Sequence, residues 1–243
     1  MDSDTHIFDN ADQLFRGGAE RFCELAKEVI SQRGAFHVAL AGGSTPSGMY
    51  RLLSTPEFAA TIPWSGIHLY FGDERCVPPD DNNSNFRMVK ENLLDRLTGE
   101  NPVVNRILAE LPPEEAAADY QFRLEKQLPG NTQGQPRFDL VLLGMGTDGH
   151  IASLFPDTPI LHETEKSVSA LYVDKLKSWR ISLTLPVLHH ARHIMLLVGG
   201  GKKADILRHI HHTTPCAAPL PIQMLMCKSS VEWYLDKDAA QQL

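Results

Sequence analysis

Apolar residues run unbroken through Leu140-Val141-Leu142-Leu143, and the run stops at Gly144, Gly146 and Gly149. Such a run suits a strand buried on both faces of a sheet. Residues 36–41, 67–71 and 193–198 read the same way, and each leads into glycine. Between these runs the spacing becomes helical. Leu14, Phe15, Phe22, Leu25, Ala26, Val29 and Ile30 predict a helix over Ala11–Arg33, with Gly34 as its stop. Pro46 is expected to open a helix through Met49, Tyr50, Leu52 and Leu53, with Ser44 or Thr45 just before it as cap. Further helices are expected over 85–97, from the Pro112-Pro113 pair to about 128, and from the glycines at 199–201 to about 212. Residues 129–136 read as a surface loop, and 180–185 alternate as a strand does. The segments 221–226 and 231–235 are expected to close the sheet. Strands alternating with helices predict an α/β fold: a doubly wound, mostly parallel, Rossmann-like sheet flanked by helices. One domain over 1–243 is expected.

Composition changes this picture little. The chain has 243 residues, 42% hydrophobic and 22% charged, enough for one large α/β core. A net charge of -7 argues against a nucleic-acid partner, which needs a basic face. Cys23, Cys76, Cys216 and Cys227 are scattered and form no metal or disulfide pattern, so they read as reduced thiols of a cytoplasmic protein. The first ten residues carry Asp2, Asp4 and Asp9 and read as no signal peptide, and no apolar run reaches membrane-spanning length.

Candidate chemistry clusters where strands end. Gly42, Gly43, Ser44 and Thr45 follow a strand and open a helix, which makes an anion cradle of backbone N–H groups and hydroxyls. Asp148 and His150 follow the central glycines. An imidazole titrates near neutral pH and suits a general base there, and Asp148 would either orient it or line the substrate site. Arg75, Arg180 and Lys202 stand at or near strand ends, where guanidinium forks and an ammonium suit phosphate; Lys203 is the adjacent alternative to Lys202.

Three other motifs fail on inspection. Gly144, Gly146 and Gly149 match the dinucleotide pattern G-x-G-x-x-G, but Pro156 cuts short the helix that would carry a pyrophosphate. Gly199-Gly200-Gly201-Lys202 is no Walker loop, because Leu196 holds the leading glycine position and Lys203 replaces Ser or Thr. The histidines at 189, 190, 193, 209, 211 and 212 lack acidic or cysteine partners at metal-ligand spacing.

Five blocks, in order, resemble the 6-phosphogluconolactonase family: Ala41 to Pro46, Gly72 to Pro78, Ser84 to Met88, Gly144 to Pro156, and Arg180 to Thr184. The resemblance implies hydrolysis of 6-phosphoglucono-δ-lactone in the pentose phosphate pathway, and a fold shared with glucosamine-6-phosphate deaminase. It implies His150 as base and the cradle with Asp73, Arg75, Arg180 and Lys202 as substrate and phosphate ligands. Backbone N–H groups near Gly146 would form the oxyanion hole. No cofactor or metal is implied, and the partner is a small sugar-phosphate lactone, bound by a monomer or homodimer. The related deaminase carries glutamate where this chain has Phe155, which favours lactone hydrolysis. A non-catalytic sugar-phosphate sensor on the same fold is the remaining alternative; retention of His150 argues against it.

Overall fold

The long helical period near the N-terminus becomes the longest helix of the protein. In this computed structural model, which describes residues 4–130, 135–212 and 219–243, Asn10 caps it by accepting from Gln13 N at 3.0 Å. Gly34, at φ 81°, ends it with an N–H bond to Ile30 O. In chain order the elements are β1 (Thr5–Phe8), α1 (Ala11–Arg33), β2 (Phe36–Leu40), α2 (Ser44–Leu53), α3 (Pro56–Ala59), β3 (Ile67–Phe71), β4 (Asp73–Arg75), α4 (Asn85–Asn92), β5 (Val103–Val104) and α5 (Pro113–Gln127). They continue with β6 (Leu140–Leu143), β7 (Val168–Val173), β8 (Ser178–Leu183), α6 (Leu185–His189), β9 (His193–Val198), α7 (Ala204–His212), α8 (Pro221–Met226), β10 (Glu232–Asp236) and α9 (Lys237–Ala240).

The main sheet has the order β1-β10-β9-β6-β2-β3-β5, and every neighbouring pair is parallel. Its middle strands are the apolar runs of the sequence: β2 and β6 are buried along their whole length, as a strand covered on both faces must be. The helix α1 buries Leu14, Phe22, Leu25, Ala26 and Val29, the stripe its spacing predicts.

A second sheet, β4-β8-β7, is antiparallel. Gly72 joins the two sheets: its N–H donates to Leu40 O at 2.8 Å, and its carbonyl accepts from Leu183 N at 2.9 Å. This sheet is not foreseen in the sequence. The strand β4 is Asp-Glu-Arg and shows no hydropathy signal, while β1, β5 and β7 are short or weakly patterned.

Four boundaries differ from expectation. Residues 221–226 form the helix α8, not a strand. Pro221 lacks the N–H a sheet ladder needs, Gln223 Oε1 accepts from Leu220 N at 3.0 Å, and Ile222 and Leu225 bury one helical face. Gly43, at φ 100°, lets α2 begin at Ser44, so neither Ser44 nor Thr45 is the cap. The helix α4 stops at Asn92 and a 3-10 turn, Leu94–Arg96, follows. The strand β8 runs Ser178–Leu183, and Leu185 already opens α6. Expectations for Asp2, Cys216 and the middle of the 129–136 loop fall outside the described residues. Among those described, no helix is long and apolar enough to cross a membrane.

Candidate active site

At the carboxyl ends of β2, β6 and β9 the chain turns away through glycine three times, and a cleft of about 260 Å³ opens between the turns. This is where an open α/β sheet places its ligands. One wall is the start of α2. No side chain caps this end, so backbone donors of the first turn stay available beside the hydroxyls of Ser44 and Thr45. Gly42 is required by space: a Cβ there would overlap the Asn85 carboxamide. That carboxamide donates to Asp73 O at 2.9 Å and to Asp73 Oδ1 at 3.0 Å, while Ser153 Oγ donates to Asp73 Oδ2 at 2.5 Å. Asp73 is thus held by both oxygens at the edge of the cleft.

The antiparallel sheet supplies the cationic wall. Arg75 and Arg180 are direct cross-strand partners on β4 and β8. Arg75 Nη1 donates to Asn83 O at 2.6 Å, and Arg180 Nη1 donates to Ser178 Oγ at 2.6 Å. Among the described residues neither arginine has a carboxylate partner, and the buried Nε of Arg75 has no hydrogen bond. Burial and then the charge of Arg75 push Arg180 below its usual value. Asp73 and Glu74 act on Arg180 from a distance, but two adjacent guanidiniums without a carboxylate in salt-bridge reach form an arrangement that an anion completes. Arg75 lines the cleft directly, and Arg180 stands beside it.

Next to Arg75 on β4, the buried Glu74 faces the other way. Its carboxylate accepts from the backbone of Arg75 at 2.8 Å, Asn85 at 2.7 Å and Phe86 at 2.8 Å, and from Ser84 Oγ at 3.0 Å. Burial raises the Glu74 carboxyl, against those backbone donors. This bond set ties β4 to the N-terminus of α4.

The third wall is the turn after β6. Gly149, at φ 75°, reverses the chain, and Gly146 N donates to His150 O at 2.9 Å. The turn brings Oδ1 of Asp148 to 2.5 Å from Nδ1 of His150. With Nδ1 engaged, Nε2 is the nitrogen left to accept a proton. Oδ2 of Asp148 pairs with Lys175 Nζ at the tip of the β7–β8 hairpin. Burial works to raise Asp148, but the hydrogen bonds of Lys175 and His150 outweigh it and hold the carboxyl well below the usual carboxylate range. Phe155 packs on the imidazole, ring centroids 4.2 Å apart.

Two expected site residues sit differently from the expectation. Lys202 is exposed and lies outside the cleft, whereas Lys203 lines it and donates to Met145 O at 2.6 Å. The 3-10 turn Gly201–Lys203 turns neighbouring side chains to different sides, which the run of glycines hides. Burial lowers the Lys203 ammonium, against the pull of Asp148. Gly146 lines the cleft and its own N–H donates to His150 O, so the expectation of an oxyanion hole rests on the other N–H groups near it. A Cβ there would overlap the imidazole. Asn85, Ser153 and Lys175 are additions. Asn85 lies inside a recognised block, but Lys175 sits in a hairpin whose first strand left no signal in the sequence.

A larger cavity, about 640 Å³, lies at the opposite end of the sheet, among the first residues of β1, β9 and β10. Its charges are already matched, as in the Arg21–Glu232 pair at 3.0 Å. The smaller cleft, with its unmatched cations beside a carboxylate–imidazole pair, is the better candidate.

Comparison with known proteins places the chain in a family. The family model described as glucosamine-6-phosphate isomerases/6-phosphogluconolactonase matches residues 9–233. A probable chloroplastic 6-phosphogluconolactonase 4 of Oryza sativa subsp. indica is 34% identical over 247 residues, covering 98% of this chain and 76% of the relative. The 6-phosphogluconolactonase of Haemophilus influenzae is 36% identical over 208 residues, 85% of this chain and 87% of the relative. The solved 6-phosphogluconolactonase of Trypanosoma brucei superposes with a TM-score of 0.87 at 29% identity, covering 100% of this chain and 99% of that one. A monomeric glucosamine-6-phosphate deaminase shares the fold, with a TM-score of 0.81 at 20% identity.

Proposed function

The chain belongs to the glucosamine-6-phosphate isomerase/6-phosphogluconolactonase family, and on that premise we propose that it hydrolyses 6-phospho-D-glucono-1,5-lactone to 6-phospho-D-gluconate, the second step of the oxidative pentose phosphate pathway. The observation that carries the reading is the 2.5 Å Asp148–His150 pair facing a cleft whose opposite walls are amide donors and unpaired guanidinium.

The phosphate docks at the start of α2, within reach of Arg75, with Arg180 adding charge behind it. Asp73 and Asn85 meet the sugar hydroxyls. The lactone carbonyl then lies near Nε2 of His150, with one water between them. Nε2 takes a proton as the water oxygen bonds to the carbonyl carbon, and Asp148 stabilises the imidazolium. Collapse of the tetrahedral intermediate breaks the ring C–O bond. The departing ring oxygen takes the proton back from His150, so the net change is addition of one water. Lys203, at the rim, supplies positive charge for the developing oxyanion.

Phe155 supports hydrolysis over deamination: an apolar ring, and not a second carboxylate, packs against the imidazole there. We read 1–243 as one domain, acting as a monomer or homodimer; the net charge of -7 supports the absence of a nucleic-acid partner. A cytoplasmic site is supported by the free Cys23, Cys76 and Cys227.

Supplying pure protein with both sugar phosphates tests the reading. Acid release and 6-phosphogluconate from the lactone are expected. Ammonia from glucosamine 6-phosphate, with the lactone untouched beyond its spontaneous opening, would reverse the assignment.

A further inference from the structure

The hairpin of β7 and β8 turns through Asp174–Leu176, and Lys177 completes the turn in the left-handed region at φ 45°. The turn delivers Lys175 to the oxygen of Asp148 that His150 leaves free. We propose that Lys175 is a positioning residue for the general base: by sharing Asp148 with His150 it fixes the imidazole in its working orientation. The proposal rests on His150 as the base of the reaction above.

Geometry divides the carboxylate between two partners. Oδ1 lies 2.5 Å from Nδ1 of His150, and Oδ2 pairs with the ammonium. The same ammonium stands 4.5 Å from the Phe155 centroid, and Phe155 lies against the imidazole at 4.2 Å. Asp148 therefore meets the ring at its edge, Phe155 meets its face, and Lys175 touches both of them. Rotation of the imidazole breaks a contact that Lys175 secures.

Electrostatics follow from the same arrangement. A carboxylate next to an imidazole favours the imidazolium, and an ammonium on that carboxylate offsets the effect. The other charges around His150 are Asp73 and Arg75 from β4 and Lys203 from the turn after β9. Without Lys175 the balance around Asp148 becomes more negative.

Stability is a poor explanation for the contact. The Lys175 side chain is 50% exposed, and exposed ion pairs add little to folding. A variant there should fold.

The test compares Lys175→Met with Lys175→Arg. One readout is the NMR titration of the His150 ring in the unliganded protein, assigned with a His150 variant; the other is the pH profile of lactonase kcat/KM. In Lys175→Met the titration midpoint and the acid limb should both rise, by about half to one pH unit, and kcat/KM at pH 6 should fall roughly three- to tenfold. Lys175→Arg should track the parent. An unmoved midpoint in Lys175→Met, even with a lower plateau, would reduce the contact to a hairpin anchor and overturn the proposal. So would an arginine variant that behaves like methionine. A midpoint that moves in a protein without lactonase activity would uphold the coupling and remove the assigned reaction instead.

Discussion

Oδ1 of Asp148 lies 2.5 Å from Nδ1 of His150, two residues along the same turn. Local geometry brings the pair together: Gly146 and Gly149 bend the chain within the turn that carries both side chains. Asp148→Asn keeps the shape and removes the charge that steadies an imidazolium. Its kcat for the lactone should fall by about two to four orders of magnitude. His150→Ala should fall over about the same range, and the double variant should lose little more, because the two residues act as a unit. Affinity of His150→Ala for 6-phosphogluconate, measured by calorimetry, should stay within about threefold of the parent, since the phosphate contacts are elsewhere. Unchanged turnover in either variant would remove the pair from the mechanism.

Arg75→Ala should act on binding. Phosphate is held equally in ground and transition states, so KM should rise by about ten- to a hundredfold with kcat nearly unchanged. A fall confined to kcat would contradict a phosphate-holding role.

The adjacent lysines make an internal control. Lys203→Ala should cut kcat/KM by about tenfold or more, whereas Lys202→Ala, exposed outside the cleft, should stay within about twofold. The reverse ranking would restore Lys202 and place the phosphate further out than the cleft.

Acid should weaken the fold through His37. This side chain is 8% exposed and lies 4.7 Å, ring to ring, from His68 on the neighbouring strand. Burial, and then the charge of His68, lower its pKa from 6.5 to about 4. Between those values the unfolded chain binds the proton and the folded protein does not, so stability is full above about pH 6.5 and falls as pH drops toward 4. The loss reaches up to roughly 3 kcal/mol at pH 4. Denaturant unfolding at pH 7.5 and 4.5 should show it, and His37→Gln should flatten the dependence. Equal slopes in the two proteins would assign the acid sensitivity elsewhere.

Legibility in the sequence followed apolar burial. The strands β2, β3, β6 and β9 and the helix α1 each cover themselves with side chains of one kind, and hydropathy finds them. The strand β4 consists of charged residues, because its side chains answer to the cleft and to α4 and not to a core. Pattern reading passes over it for that reason, and with it the second sheet. The Asp148–His150 pair was visible because its partners are neighbours in sequence. Lys175, twenty-seven positions from Asp148, depends on a hairpin that only the fold supplies. Pro221–Met226 misled because six largely apolar residues satisfy a strand template as readily as two turns of helix.

Glu74 gives the pocket an uneven stiffness. Its carboxylate is 2% exposed and staples the arginine strand to the start of α4. That flank cannot yield without stranding an unsolvated acid, whereas the hairpin opposite leans on a partly exposed lysine. Accommodation of bulkier sugars, by natural drift or in the laboratory, should therefore begin with changes around Lys175 and leave the flank of Glu74 untouched.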